Sequence, residues 1–419
     1  MPKKPRRDVQ RFVRKAALPK SKLLDQLSHA SGQLYTQVLV AYWRILRKTG
    51  NGKNGRKPVF LSQYGMEALC PKDPDGLLHS HTCGAIVGNF YSSIKSANER
   101  KKKGDQKAKY PRRRKWYYKI TWKSSGIRLK DSHLILSTGK SSENVILPWT
   151  HDLPDMVEIG WKKTGGYEVR AVYEAQAGHV LGNGVAAIDQ GELRTATVYD
   201  GEKATIYSGR LARSKSRYRA KVIAKLDAKI SKTGKGNGKQ PSSRRRKKLI
   251  RAKRRMTRQI DHQIRDIQHK QSSHLVSTLY NQGVQTVVIG DIRDIRKSMQ
   301  YGAKANQKLH GWSFGKFRQM VTYKSQRLGM QAVLMDEAYT SQTCPQCAAR
   351  HKPRGRTYKC KCGYVCDRDA VGAINIRAKY LDSFGKPVVG VMAPPVRGVR
   401  FAPHFSRHLK LNTSRTPGL

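Results

Sequence analysis

The run "TSQTCPQCAARHKPRGRTYKCKCGYVCDRDAVGAINI", Thr340 to Ile376, constrains this chain most: it holds five of the seven cysteines, with Asp-Arg-Asp directly after the last of them. Cys344-x2-Cys347, twelve residues, then Cys360-x-Cys362-Gly363 is close to a zinc ribbon. In such a ribbon, thiolates about 2.3 Å from one zinc ion clip two knuckles together. Gly363 supplies the tight turn after its ligand. The second knuckle has one intervening residue where two are usual, so Cys366 competes with Cys360 for a ligand position. Cysteines clustered in this way indicate structural metal in a reducing cytoplasm, not a disulfide framework. The loop between the knuckles carries Arg350, His351, Lys352, Arg354 and Arg356. Arg354 and Arg356 are the candidate contacts to a phosphate backbone.

Charge narrows the partner. The 84 Lys and Arg exceed the 28 Asp and Glu by 56. A duplex-binding module neutralises only roughly 6–10 phosphates. So large an excess repels itself in a compact fold unless a polyanion screens it. The balance therefore points to a folded RNA together with DNA, against the blander reading of a solvated basic surface. Ten of the fifteen residues from Arg244 to Arg258 are basic. They sit in a helix-forming stretch, 212–281, broken by the linker "SKTGKGNGKQPSS". A helical hairpin tracking phosphates is expected there, with Arg244, Arg245, Arg246, Lys247, Lys248, Arg251, Lys253, Arg254 and Arg255 as contacts. No apolar run approaches the roughly 18–20 residues of a membrane span. The basic N-terminus lacks the apolar stretch of a signal peptide.

With 419 residues, two or three domains are expected. Leu24, Leu27, Ser31, Leu34, Val38, Ala41 and Ile45 make an amphipathic helical stripe within residues 20–48, and a second helical stretch lies near Leu61 to Leu69. Cys70, His79, His81 and Cys83 offer a second, non-standard set of metal ligands. From Tyr110 the period becomes two: Trp116, Tyr118, Ile120 and Trp122 share one strand face. Trp116 and Tyr117 are candidates for stacking on bases. The tail from Pro387, rich in proline and basic residues, reads as a loop or a partly disordered appendage.

The scarce acids are placed unusually. Three apolar strands end in Asp189, Asp291 and the pair Asp336 and Glu337, while Asp367 and Asp369 precede the small-residue helix "AVGAINI". Carboxylates gathered together need cations. Three acids holding two Mg²⁺ about 3.5–4 Å apart is the standard arrangement for in-line phosphodiester hydrolysis.

The order of these features resembles the TnpB family of transposon-encoded RNA-guided nucleases and the compact type V CRISPR effectors related to it. The features are the Asp189 strand, the basic hairpin, the "VVIGDI" strand, the "AYTSQTCPQC" ribbon and "DRDAVGAINI". The resemblance implies an α/β multidomain protein. Its parts would be a basic N-terminal wedge strand (1–19), a helical recognition insertion (20–109) and a wedge β-barrel (110–182). A RuvC-type, RNase H-like nuclease domain would follow (183–337), interrupted by a zinc-ribbon insertion that binds target nucleic acid (338–366). The nuclease domain would resume at 367–386, before a basic tail (387–419).

Asp189 matches the first RuvC acid and Asp369 the third. Where the family usually has the glutamate of a Glu-Asp pair on the second strand, this chain has Gly290. Three readings follow. Glu337 reaches into the space above Gly290, which is the preferred one; or Asp291 serves, although it points to the opposite strand face; or the site is inactive.

The implied function is RNA-guided DNA endonuclease activity, with two catalytic Mg²⁺ and one structural Zn²⁺. The implied partners are a structured guide RNA and double-stranded DNA with a short flanking motif. The protein would act as a monomer on one RNA, associated with a prokaryotic nucleoid. The alternatives are a nuclease-inactive RNA-guided regulator, a guide-free DNA-processing protein and an RNA-binding scaffold of ribosomal type.

Overall fold

A computed structural model describes residues 9–50, 59–70, 73, 75–162, 165–176, 178–180, 182–234, 243–292, 302, 314–384, 390–401 and 411–412. The chain divides after Ala175 into two units.

The first unit opens with strand β1 (Val9–Leu18), followed by helices α1 (Lys22–Gly50), α2 (Gln63–Leu69) and α3 (Ser80–Lys102). The expected stripe forms one side of α1, with Leu24, Leu27, Ser31, Leu34 and Val38 all buried. It packs on α3 through residues such as Ile86 and Phe90. Six short strands follow: β2 (Ile120–Lys123), β3 (Ile127–Lys130), β4 (His133–Leu136), β5 (Val145–Pro148), β6 (Met156–Trp161) and β7 (Tyr167–Gln176). They form a four-stranded sheet, β1-β7-β6-β2, and a separate three-stranded sheet, β3-β4-β5. One apolar core, including Trp122, Leu134, Leu136, Val157 and Ile159, joins both sheets to α1 and α3. The strands expected to close into a barrel thus share a core as two sheets, with no strand pair linking one sheet to the other among the described residues.

The second unit carries β8 (Gly184–Asp189), β9 (Arg194–Tyr199), β10 (Ala204–Ser208), α4 (Arg210–Ser231), α5 (Arg244–Asn281) and β11 (Val284–Asp291). After these come α6 (Phe314–Arg327), β12 (Gln331–Asp336), β13 (Thr357–Lys359), β14 (Val365–Asp367) and α7 (Arg368–Asp382). Two final strands are β15 (Val396–Phe401) and β16 (Leu411–Asn412). The main sheet has the order β12-β11-β8-β9-β10-β15-β16. Within it β8, β9 and β10 are antiparallel neighbours, while β11 runs parallel to β8 and β12 parallel to β11.

Side chains alternate between the two faces of this sheet. Ala186, Ile188, Val287 and Ile289 face α5 and α6, where Leu275, Leu279, Phe317 and Val321 cover them. Ala187 and Val288 point the other way, toward Ile376 on α7. These apolar runs are continuous because both faces are covered. Ser313, expected to cap α6, lies outside the described residues.

The tail departs from the expectation of a loop. β15 pairs in parallel with β10, Ala204 opposite Val396, and buries Val399. Without it β10 would be an open sheet edge, with unpaired backbone groups.

Candidate active site and metal centre

Three elements deliver carboxylates to the sheet face beneath α7. Asp189 ends β8 on the side of Ala187, so it points toward the helix. In α7, Gly372 faces it: a Cβ there would lie 2.4 Å from Asp189 Oδ2, so only glycine leaves the carboxylate its space. Asp369, in the first turn of α7, is the second acid. Asp367 caps the helix, its Oδ1 accepting from the Asp369 N–H at 2.9 Å.

The third acid is Glu337, one residue beyond β12. Its side chain folds back over β11, and a Cβ on Gly290 would lie 2.4 Å from its Oε2. Gly290 sits on the face of Val288, beneath α7, and Asp291 therefore faces the other way. Arg318 of α6 donates from Nη1 to Asp291 Oδ1 at 3.1 Å. The structure thus places Glu337 and Asp369 within electrostatic reach of Asp189, the three oxygens not all within 4.8 Å of one another, and gives Asp291 an ion-pair partner on the opposite face.

Electrostatics mark the group as short of positive charge. Burial, followed by the fields of Glu337 and Asp369, pushes the Asp189 carboxyl well above the usual carboxylate range. Burial, with Asp291 and Asp336 nearby, pushes Glu337 up to about 7. Glu337 Oε2 is buried without a hydrogen-bond partner, as is Thr197 Oγ1, whose residue pairs directly with Asp189 across β8 and β9. Orphaned buried oxygens are costly unless something coordinates them. An all-oxygen set of this kind fits hard divalent ions such as Mg²⁺.

Two arginines already balance part of the charge. Arg194 Nη1 contacts Asp367 Oδ1 and lies 3.2 Å from Asp369 Oδ2. Arg356 Nη1 donates to the same Asp369 oxygen at 2.9 Å.

The ribbon adjoins this site. The Sγ atoms of Cys344, Cys347, Cys360 and Cys362 all lie within 4.8 Å of one another. The pairs Cys344–Cys362 and Cys347–Cys360 are each 3.6 Å apart. Tetrahedral zinc with bonds of about 2.3 Å requires sulfurs about 3.8 Å apart, so the four fit that ion. Cys366 is buried on β14 outside the cluster, packed with Tyr199, Tyr358 and Ala370. Among the described residues no other such group forms. Cys70 Sγ contacts Met66 Sδ at 3.6 Å, and His81 Nε2 lies 3.1 Å from Ser125 Oγ, so Cys70, His79, His81 and Cys83 do not assemble a site.

Asn375 joins the ribbon to the sheet. Buried on α7, its Nδ2 donates to the carbonyls of Thr340 at 2.6 Å and Thr343 at 2.7 Å, at the entrance to the first knuckle. Asn375→Leu orphans both carbonyls. The expected cost is about 2–4 kcal/mol, to be read from urea unfolding midpoints.

The remaining candidates divide. α4 and α5 form the expected hairpin, and Arg244, Arg245, Lys247, Lys248, Arg251, Arg254 and Arg255 are exposed on it. Arg246 and Lys253 are engaged within the hairpin: Arg246 Nη1 donates to the Ile230 carbonyl at 2.7 Å, and Lys253 Nζ to Asp227 Oδ2 at 2.7 Å. Arg354 is exposed, whereas Arg356 is committed to Asp369. Trp116 and Tyr117 precede β2 and do not belong to it, because the chain bends there. Trp116 is 72% exposed while Trp122, expected on the same face, is buried. Tyr117 stacks on Trp161 at 6.1 Å between ring centroids.

The sequence reading passed over Gly372, Arg194 and Asn375. A glycine within a helix carries an intrinsic cost, so Gly372 was a detectable signal of close packing. Nothing local singled out Arg194 or Asn375.

Comparison with known proteins agrees with this architecture. Residues 169–296 match the family model described as "Probable transposase", and residues 314–376 match the "Cas12f1-like, TNB domain" model. The chain is 25% identical over 267 residues to the TnpB-like protein ORF457 of Acidianus two-tailed virus, covering 60% of this chain and 56% of that protein. It is 28% identical over 286 residues to a putative RNA-guided DNA endonuclease of Streptomyces pristinaespiralis, covering 65% of this chain and 66% of the relative. The chain therefore spans between half and two thirds of the length of these relatives. Its fold is similar to that of Cas12f1 solved with a single-guide RNA and target DNA: TM-score 0.58, 14% identity, 85% of this chain and 82% of that one. The mini-RNA-guided endonuclease Cas_phi3 gives a TM-score of 0.53 at 11% identity, covering 91% of this chain and 93% of that one. The class is that of mixed α/β multidomain proteins with the fold of the compact type V effectors. Within it, the chain is related to the TnpB-like and Cas12f1-like proteins, as its motifs indicated.

Proposed function

We propose that this protein is an RNA-guided DNA endonuclease that hydrolyses phosphodiester bonds at Asp189, Glu337 and Asp369. The observation that carries the reading is that Glu337 and Asp189 lie against two glycines, Gly290 and Gly372, that leave them room, with Asp369 near enough to raise the Asp189 carboxyl. Glu337 takes the place that an acid at position 290 would occupy, which supports an active site over an inactive one. The three carboxylates would hold two Mg²⁺, which when bound activate the attacking water and stabilise the leaving oxygen. The chain's own part is to fix the three acids on separate elements, β8, the end of β12 and the start of α7, where they would hold the ions against a bound phosphodiester.

One structural Zn²⁺ would be held by Cys344, Cys347, Cys360 and Cys362. The exposed cations of the hairpin, together with Arg354, would bind the phosphates of a structured RNA and of target DNA. Trp116 and Tyr117 offer faces for base stacking. Guide pairing would read the target and the protein a short flanking motif, as a monomer on one RNA in a prokaryotic cytoplasm. Among the described residues no helix is long and apolar enough to cross a membrane.

The test is to express the gene with its native flanking DNA, purify the protein and sequence the RNA it retains. One discrete RNA with a structured part and a variable end, supporting Mg²⁺-dependent cutting of DNA that matches that end, is the expected result. A heterogeneous smear of ribosomal and transfer RNA, with no guided cutting, would overturn it.

A further inference from the structure

One carboxylate oxygen receives two guanidinium groups from very different surroundings. Arg194, whose side chain is 18% exposed, is held by Asp367 and reaches Asp369 Oδ2 at 3.2 Å. Arg356, 51% exposed, donates to that same oxygen at 2.9 Å from the ribbon side. The ribbon hairpin is built directly onto this helix start. Thr357 on β13 pairs with Asp367 on β14, and the Arg368 N–H donates to the Arg356 carbonyl at 2.8 Å. Lys352, Arg354, Lys359 and Lys361, its neighbours along the chain, are exposed. A nucleic-acid backbone drawn to these cations presents phosphate oxygens to a guanidinium that now holds a carboxylate. Both anions suit the guanidinium fork, so the exchange is close to balanced and the neighbouring cations bias it toward phosphate.

We propose that Arg356 is a positioning residue that couples nucleic-acid binding at the ribbon to Asp369. Without nucleic acid Arg356 holds Asp369 Oδ2; with a backbone phosphate at the ribbon it moves to that phosphate, leaves Arg194 as the one guanidinium at that oxygen, and so opens the oxygen further to a divalent ion. The inference rests on the metal-site reading above. Linkage makes it reciprocal: if phosphate at the ribbon tightens metal binding, metal tightens phosphate binding by the same factor.

The experiment measures Mn²⁺ affinity of the full-length protein, as purified with its RNA, by electron paramagnetic resonance. It is run with and without a phosphorothioate-protected single-stranded DNA, counting only ions that the Asp369→Asn protein fails to bind. For the wild type the DNA should tighten Mn²⁺ binding about tenfold, within the usual range of coupling between sites. Arg356→Gln should show the tight affinity without DNA, and DNA should add little. Arg356→Lys, which keeps the charge but not the fork, should retain part of the DNA response.

Equal DNA-induced tightening in wild type and Arg356→Gln overturns the coupling. So does an Arg356→Gln affinity without DNA that is no tighter than that of wild type. If Asp369→Asn binds Mn²⁺ as the wild type does, the metal-site reading itself fails, and the inference falls with it for that separate reason.

Discussion

Glu337→Gln is expected to reduce Mg²⁺-dependent DNA cutting on the order of a thousandfold or more, the scale of losing one member of a constellation that acts as a unit. Asp291→Asn, by contrast, should leave cutting within a few-fold of wild type. The two acids lie near one another but on opposite faces of the sheet. Glu337 is beneath α7 with an orphaned oxygen, and Asp291 is bonded to Arg318. Asp291→Asn would then show mainly as a small loss of stability, about 1 kcal/mol for a partly buried ion pair.

Gly290→Ala sharpens the test. Its new Cβ would meet Glu337 Oε2 at 2.4 Å and Ile376 Cδ1 at 3.0 Å. The glutamate can swing aside, so stability should change little, while a displacement of about 1 Å at a reacting centre costs on the order of a hundredfold in rate. Single-turnover cleavage beside thermal unfolding reads both quantities. Full activity in Gly290→Ala would mean that Glu337 does not act from where it sits.

Removing zinc should have the second large effect. A structural Cys₄ site contributes apparent binding free energy of about 10–16 kcal/mol to the fold that encloses it. Here that fold includes Tyr358 and Tyr364, which pack with Ala370, Val371 and Ile374 at the start of the acid-bearing helix. A strong chelator, or Cys347→Ser, should release one zinc per chain and abolish cutting. It should also expose the 340–366 segment to protease while the first unit stays protected. Elemental analysis and limited proteolysis check this directly. Cys366→Ala should keep its zinc, because that thiol lies outside the cluster.

Much of this was legible in the sequence, for definite reasons. β8 and β11 read clearly because burial on both faces demands unbroken apolar runs such as "VAAI" and "VVI", and each run ends where a carboxylate emerges. The four-cysteine ribbon read clearly because zinc geometry fixes the spacing of its ligands. Trp116 did not read correctly: period two continued past the point where the chain bends, and periodicity carries no information about such an end. β15 was missed because its short run, "VRGVRF", gains its place only by completing a distant sheet edge. Arg356 was assigned to phosphate from its basic neighbours, and its bond to Asp369 depends on a hairpin register that no local pattern reveals.

The placement of Glu337 bears on how proteins of this kind are inventoried. This chain has a glycine at position 290, and a census based on that position alone would file the gene among decayed copies. In three dimensions the Glu337 carboxylate, one residue past the end of the neighbouring parallel strand, lies over Gly290, where on the proposed function it stands in for that acid. Retention of a nuclease centre is better judged by the volume an acid occupies than by the position that encodes it. A glycine at the end of the second strand, paired with a glutamate just before the first zinc knuckle, is a pattern by which other genomes can be searched.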